Sequence, residues 1–111
     1  MKSIVAIFLG VFSCGVFAVG EVNDAKVMEV RADKSGKGYV KFDKALSGAP
    51  ASCISGGHTS HLSFDLNTPG GKGIMSIALS AQATGNSVRA VGTGSCDDFS
   101  VVESWNYGLV R

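Results

Sequence analysis

Three clusters have residue types and spacings that chemistry uses. His58-Thr59-Ser60-His61 holds both histidines, three positions apart. A zinc site would need one or two more ligands, and the remaining candidates are distant carboxylates. The pair lies in a loop running into a strand, so hydrogen-bonded or solvent-facing histidines are the simpler reading. Gly70-Gly71-Lys72-Gly73 sits at a helix start but fails as a phosphate loop. Leu66 stands where the first glycine belongs, and Gly73 replaces the Ser or Thr that holds magnesium. Ser residues, two histidines and Asp65 or Asp97 make a triad on paper. No serine occupies a Gly-x-Ser-x-Gly elbow, and a chain this short has little room for both a core and a substrate cleft. The residues therefore point away from an enzyme.

Binding chemistry is better represented. Asp97-Asp98 beside Phe99 offers paired carboxylates to sugar hydroxyls, though two carboxylates make a poor calcium shell. Trp105 and Tyr107 have faces that pack on the apolar side of pyranose rings. Asp97, Asp98, Phe99, Trp105 and Tyr107 are the candidate ligand-binding residues. Their competing readings are a solvated turn for the acidic pair and core for the aromatic pair, which share a strand face with Leu109. No cofactor is implied.

Cysteine usage and the N-terminus set the compartment. Met1 to Gly20 has the form of a secretory signal peptide: Lys2 supplies the positive start and Ile4 to Val19 is nearly all apolar. Ala18 and Gly20 put small residues before Glu21. The run is short for a membrane span, which needs about 20 apolar residues. Val11-Phe12-Ser13-Cys14 loosely resembles a lipidation box, but Phe12 and the apolar stretch beyond Cys14 argue against lipidation. Removing 20 of the 111 residues leaves a single domain, residues 21–111, secreted or periplasmic. Cys14 leaves with the leader, and Cys53 and Cys96 then read as one disulfide. Without Lys2 the domain carries nine Lys plus Arg against nine Asp plus Glu. That balance gives no footprint for nucleic acid or anionic lipid, and nothing after Glu21 is apolar enough to span a membrane.

Five strands and a helix must position these groups. After a polar lead-in, Ala25 to Ala32 alternates Met28, Val30 and Ala32 against Glu29 and Arg31. The turn Asp33 to Gly38 leads to a second strand, Tyr39 to Lys44. Residues 45–57 are irregular and carry Cys53. His61 to Leu66 is a strand with Leu62, Phe64 and Leu66 on one face. Thr68 and Pro69 open a helix as N-cap and first residue, and Gly85 closes it. The glycines at 70, 71 and 73 weaken its first turn, moving its effective start toward Lys72. Ser87 to Ser95 and Val101 to Val110 are the last strands, with Cys96 to Ser100 a loop between them. The order β-β-β-α-β-β is that of a mainly β, five-stranded barrel of the oligonucleotide/oligosaccharide-binding (OB) type with one helix. Another compact sheet with a covering helix is the alternative.

Ala83-Thr84-Gly85-Asn86-Ser87-Val88-Arg89, closing the helix and opening a strand, is similar to the corresponding junction of subtilase cytotoxin B subunits. Residues 74–107 carry most of the likeness, notably Gly92-Thr93-Gly94-Ser95-Cys96 followed by Glu103 and Tyr107. The chain thus resembles the subtilase-cytotoxin-B-like family of small exported proteins, with a shorter lead-in before its first strand. The resemblance implies an OB-type barrel. In the toxins it implies a homopentamer with helices lining a central pore, which binds sialylated glycans and carries a catalytic A subunit. No sugar-contacting residue is carried over. The function expected here is an exported, non-enzymatic, self-associating module with a glycan ligand. The alternative is a periplasmic structural or protein-interaction domain with no glycan ligand.

Overall fold

The computed structural model describes residues 18–111; most of the segment read above as a signal peptide, including Cys14, lies outside them. Among the described residues seven strands form two antiparallel sheets. They are β1 (Gly20–Ala25), β2 (Val27–Ala32), β3 (Lys37–Phe42), β4 (Ser47–Gly48), β5 (His61–Asp65), β6 (Val88–Gly92) and β7 (Trp105–Val110). One sheet runs β4-β1-β6-β7 and the other β2-β3-β5. The continuous ladders thus divide between two sheets instead of circling one closed five-stranded barrel. The domain is mainly β with one helix, as its sequence pattern predicts.

The extra strands come from segments whose patterns are weak. Glu21-Val22-Asn23-Asp24 reads as a polar lead-in, yet it belongs to β1 because Val22 and Ala25 bury fully between the sheets. The register of β1 against β6 shifts between Val22 and Ala25, and Asp24 sits there at φ 55°. Only Lys26 separates β1 from β2, so one bent segment serves both sheets. A second register shift lies between Val27 and Glu29. An extra residue in one strand reverses which face its neighbours point to. This turns Met28 out to 54% exposure and puts Val27 in the core, correcting the expected apolar face of Met28, Val30 and Ala32.

The helix α1 (Pro69–Thr84) has the expected ends. Thr68 Oγ1 accepts from the Gly71 N–H at 2.9 Å, and Gly85, at φ 75°, donates its N–H to the Ala81 carbonyl. The glycines do not delay the helix to Lys72, because Gly71 is where α1 meets β5. A Cβ at Gly71 would overlap the Asp65 carbonyl. Ala78 and Ala81 then bury against a core that includes Phe42, Leu62, Phe64 and Val88.

Trp105 belongs to this core. It is 4% exposed, stands edge-on to Phe42 at 5.6 Å, and its Nε1–H donates to the Tyr107 carbonyl at 2.8 Å. Gly92 pairs with Trp105 and Val91 with Tyr107, with a register shift between them. That shift places Trp105 inside while Tyr107 remains 49% exposed, so the two do not share a face. Among the described residues no helix is long and apolar enough to cross a membrane.

Candidate functional site

The hairpin β2–β3 and strand β5 place Arg31, Tyr39 and Ser63 side by side across one sheet. The same face carries Glu29, Lys41 and His61 one pair further along. On an ordinary edge sheet this face would be solvated. Here two loops cover part of it, drawn together by the Cys53–Cys96 disulfide, whose Cα atoms are 6.2 Å apart. The first loop brings His58, whose Nδ1 lies 2.7 Å from the Ser55 carbonyl oxygen. The second brings Asp97, Asp98 and Phe99. Its path is fixed by Ser104, whose Oγ accepts from the Asp97 and Asp98 N–H groups at 2.9 and 3.1 Å.

Tyr39 is the hub of the resulting cluster. Its ring meets His58 at 5.3 Å, His61 at 5.0 Å and Phe99 at 5.2 Å, each edge-to-face, the favoured geometry for aromatic pairs. The Arg31 guanidinium lies 5.3 Å from the Tyr39 centroid and 5.5 Å from that of Phe99. It donates from Nε and Nη2 to the two Asp33 carboxylate oxygens, at 2.8 and 3.2 Å, and from Nη1 to the Tyr39 hydroxyl at 3.2 Å. These bonds hold the guanidinium in one plane and raise its affinity for its proton. Ordered aromatic edges, a fixed cation and a carboxylate thus share one half-exposed patch. Such a surface can pack against an apolar ligand face while donating to and accepting from hydroxyl or acid groups.

Asp98 sits at the edge of this patch, and partial burial together with the nearby Asp65 carboxylate raises its pKa. Asp97 accepts from the Ser95 hydroxyl at 2.8 Å. Of the five expected binding residues, Asp97, Asp98 and Phe99 therefore fall together. Tyr107 lies on the β6–β7 face, where Arg89 stands over its ring at 6.0 Å and reaches Glu21 at 3.4 Å. A cleft of about 330 Å³ lined by Val19, Val91, Gly92, Thr93 and Asn106 opens beside that strand pair. Trp105 reaches neither surface. Arg31 and Tyr39 were not among the expected site residues, because their pairing follows from the hairpin register, which the turn residues alone do not fix. Among the described residues no group of three or more His, Cys, Asp or Glu could hold a metal ion.

No known protein family, curated protein or solved structure matches this chain. The chemistry of the patch must therefore be read from its own residues.

His61 gives that patch a pH dependence. It is 8% exposed, and its buried Nδ1 has no hydrogen-bond partner among the described residues. Burial lowers its pKa, His58 and Lys41 lower it further, and Glu29 opposes them. Below the ordinary value of 6.5 the unfolded chain binds this proton more readily than the folded one, so stability falls as pH drops. The urea midpoint is expected to be lower at pH 5.5 than at pH 7.5. His61→Phe should flatten that difference. An equal slope in the variant would assign the effect to other groups.

Proposed function

We propose that this domain is an exported, non-enzymatic binding protein whose ligand surface is the Arg31–Tyr39–His58–Phe99 patch, and that its ligand is a glycan. The observation that carries this reading is the position of the patch. It lies between the turn joining the first hairpin strands, which holds Asp33, and the disulfide-tied loop before the last strand, which holds Phe99. OB-type domains bind oligosaccharides and oligonucleotides on this part of their surface. A sugar fits the neutral overall charge better than a nucleic acid does, since phosphate recognition calls for a basic stripe.

Two features support an OB-type plan behind the two sheets. The β1–β2 segment belongs to both, and a parallel bridge between Ser63 and Ser104 joins β5 to the run entering β7. Neighbours then follow a circuit from β2 through β3, β5, β7 and β6 to β1. The likeness of residues 74–107 to the cytotoxin B subunits agrees with that plan and suggests a ring-forming, secreted or periplasmic protein. A disulfide fits either oxidising compartment. Self-association would suit weak sugar sites, because linked sites raise avidity without new contacts. The exposed Tyr107 and Leu109 on β7 support the second reading, a protein-interaction domain without a sugar ligand.

The test is a glycan array with the oxidised protein and its Arg31→Ala and Tyr39→Ala variants. Each side chain contributes contacts of charge-assisted or aromatic type, so each variant is expected to lose at least about tenfold in sugar affinity. Both residues are on the surface side of their sheet, and the folded baseline should remain. A folded protein with no sugar signal in any oligomeric state would sink the glycan reading and leave the protein-interaction one. Light scattering behind a sizing column separates a pentamer from a monomer.

A further inference from the structure

The leader offers two cuts with small residues near the scissile bond. One follows Gly20, with Ala18 two positions earlier. The other follows Ala18, with Val16 two positions earlier. By residue size alone the cut after Gly20 is the better match to the small-x-small rule. The folded domain favours the other.

Gly20 is built into the fold. It is buried, pairs with Gly48 as the first residue of β1, and donates its N–H to Glu103 Oε2 at 2.9 Å. Glu103 is itself fully buried and takes further N–H bonds from Ala51 at 2.8 Å and Gly94 at 2.9 Å. A side chain at position 20 would not fit: its Cβ would lie 2.8 Å from Glu103 Oε1 and 3.0 Å from Leu46 Cδ1. Val19 is partly buried, its carbonyl accepts from the Ala49 N–H at 2.9 Å, and it lines the cleft beside β6 and β7. Ala18 is exposed, although its carbonyl, which would lie 2.5 Å from a Cβ at Gly94, comes close to the domain. A discarded leader has no reason to meet such steric and hydrogen-bonding demands. Residues that stay with the domain do.

We infer that the leader peptidase cuts between Ala18 and Val19, so that the mature protein begins at Val19 and keeps Val19-Gly20 as the edge of its first strand. This rests on reading the N-terminus as an export leader. Water adds across the Ala18–Val19 amide, leaving a carboxylate on Ala18 and an α-ammonium on Val19. The new ammonium lies one residue from the Gly20 amide, and therefore within about 7 Å of the Glu103 carboxylate. Among the described residues no Lys or Arg pairs with that carboxylate. A cut after Gly20 would instead remove one of its three N–H donors.

The experiment is expression of the full chain with its own leader in a bacterial host, followed by intact-mass measurement and N-terminal sequencing of the exported protein. The expected species begins at Val19. Val16→Trp puts a large side chain at the third position before this cut and leaves Ala18 and Gly20 unchanged. It is expected to reduce the Val19 species at least tenfold. A wild-type product beginning at Glu21 would overturn the inference while upholding the leader. Export of a chain beginning at Met1, or no export, would overturn the leader itself.

Discussion

Glu103→Ala is expected to destabilise the domain by about 3–5 kcal/mol, a large share of the stability that a domain of this size has. The side chain is 0% exposed, and its two oxygens accept three backbone N–H groups from three separate segments. Gly20 begins β1, Ala51 lies in the long loop before the disulfide, and Gly94 follows β6. A buried carboxylate is costly unless hydrogen bonds replace its hydration, and these three do so. Truncation leaves three inward-facing donors at about 1–3 kcal/mol each, of which entering water recovers a part. Urea denaturation measures the loss. A change below about 1 kcal/mol would mean that water replaces the carboxylate without penalty.

Glu103→Gln separates charge from shape. Oε2 accepts from Gly20 and Gly94 while Oε1 accepts from Ala51. With the amide oxygen toward the first two, the amide NH₂ faces the Ala51 N–H, donor against donor. The flipped amide faces two donors with its NH₂. Neither orientation satisfies the site, so Gln should be less stable than wild type although it is nearly the same size.

Glu103 also marks where the sequence stops being legible. Alternation located β3, β5, β6 and β7, and the Thr68-Pro69 and Gly85 signals gave both ends of α1, because those patterns are local. Gly92-Thr93-Gly94 reads from sequence as a broken strand end. Its use is long-range: a Cβ at Gly92 would overlap the Glu103 carboxylate, which comes from eleven residues later. The register shifts hid the rest. They exposed Met28, buried Trp105 and separated Trp105 from Tyr107, and nothing in a strict two-residue alternation signals an extra residue. The site was half visible. Asp97, Asp98 and Phe99 stood out as an acidic-aromatic run, whereas Arg31 and Tyr39 become a pair only when the hairpin register is known. Alternation sets His61 and Ser63 opposite Leu62 and Phe64, yet both are buried: Ser63 donates to the Val102 and Glu103 carbonyls of the run entering β7, and Tyr39 and His58 pack on His61.

Those loops make the disulfide the second large lever. The Cys53→Ser, Cys96→Ser double variant is expected to lose about 4 kcal/mol of stability, since the bridge closes a loop of about 44 residues in the unfolded chain. A domain this small has a total stability of about 5–10 kcal/mol, so the variant should be marginal at body temperature. Cys53 is exposed and Cys96 half-exposed, so serine at either position buries no unpaired hydroxyl and the loss comes mainly from the freed chain. Binding should suffer beyond stability. His58 and Phe99 reach Tyr39 from opposite sides of the bridge, and without it each loop must be ordered when ligand binds. Measured at 10 °C, where the variant is still folded, sugar affinity should therefore fall while the hairpin pair Arg31–Tyr39 is unchanged. Equal affinity in the folded double variant would show that the loops hold their places without the bridge. The disulfide would then serve stability alone, and Phe99 and His58 would owe their positions to Ser104 and the backbone contact of Ser55 with Val101.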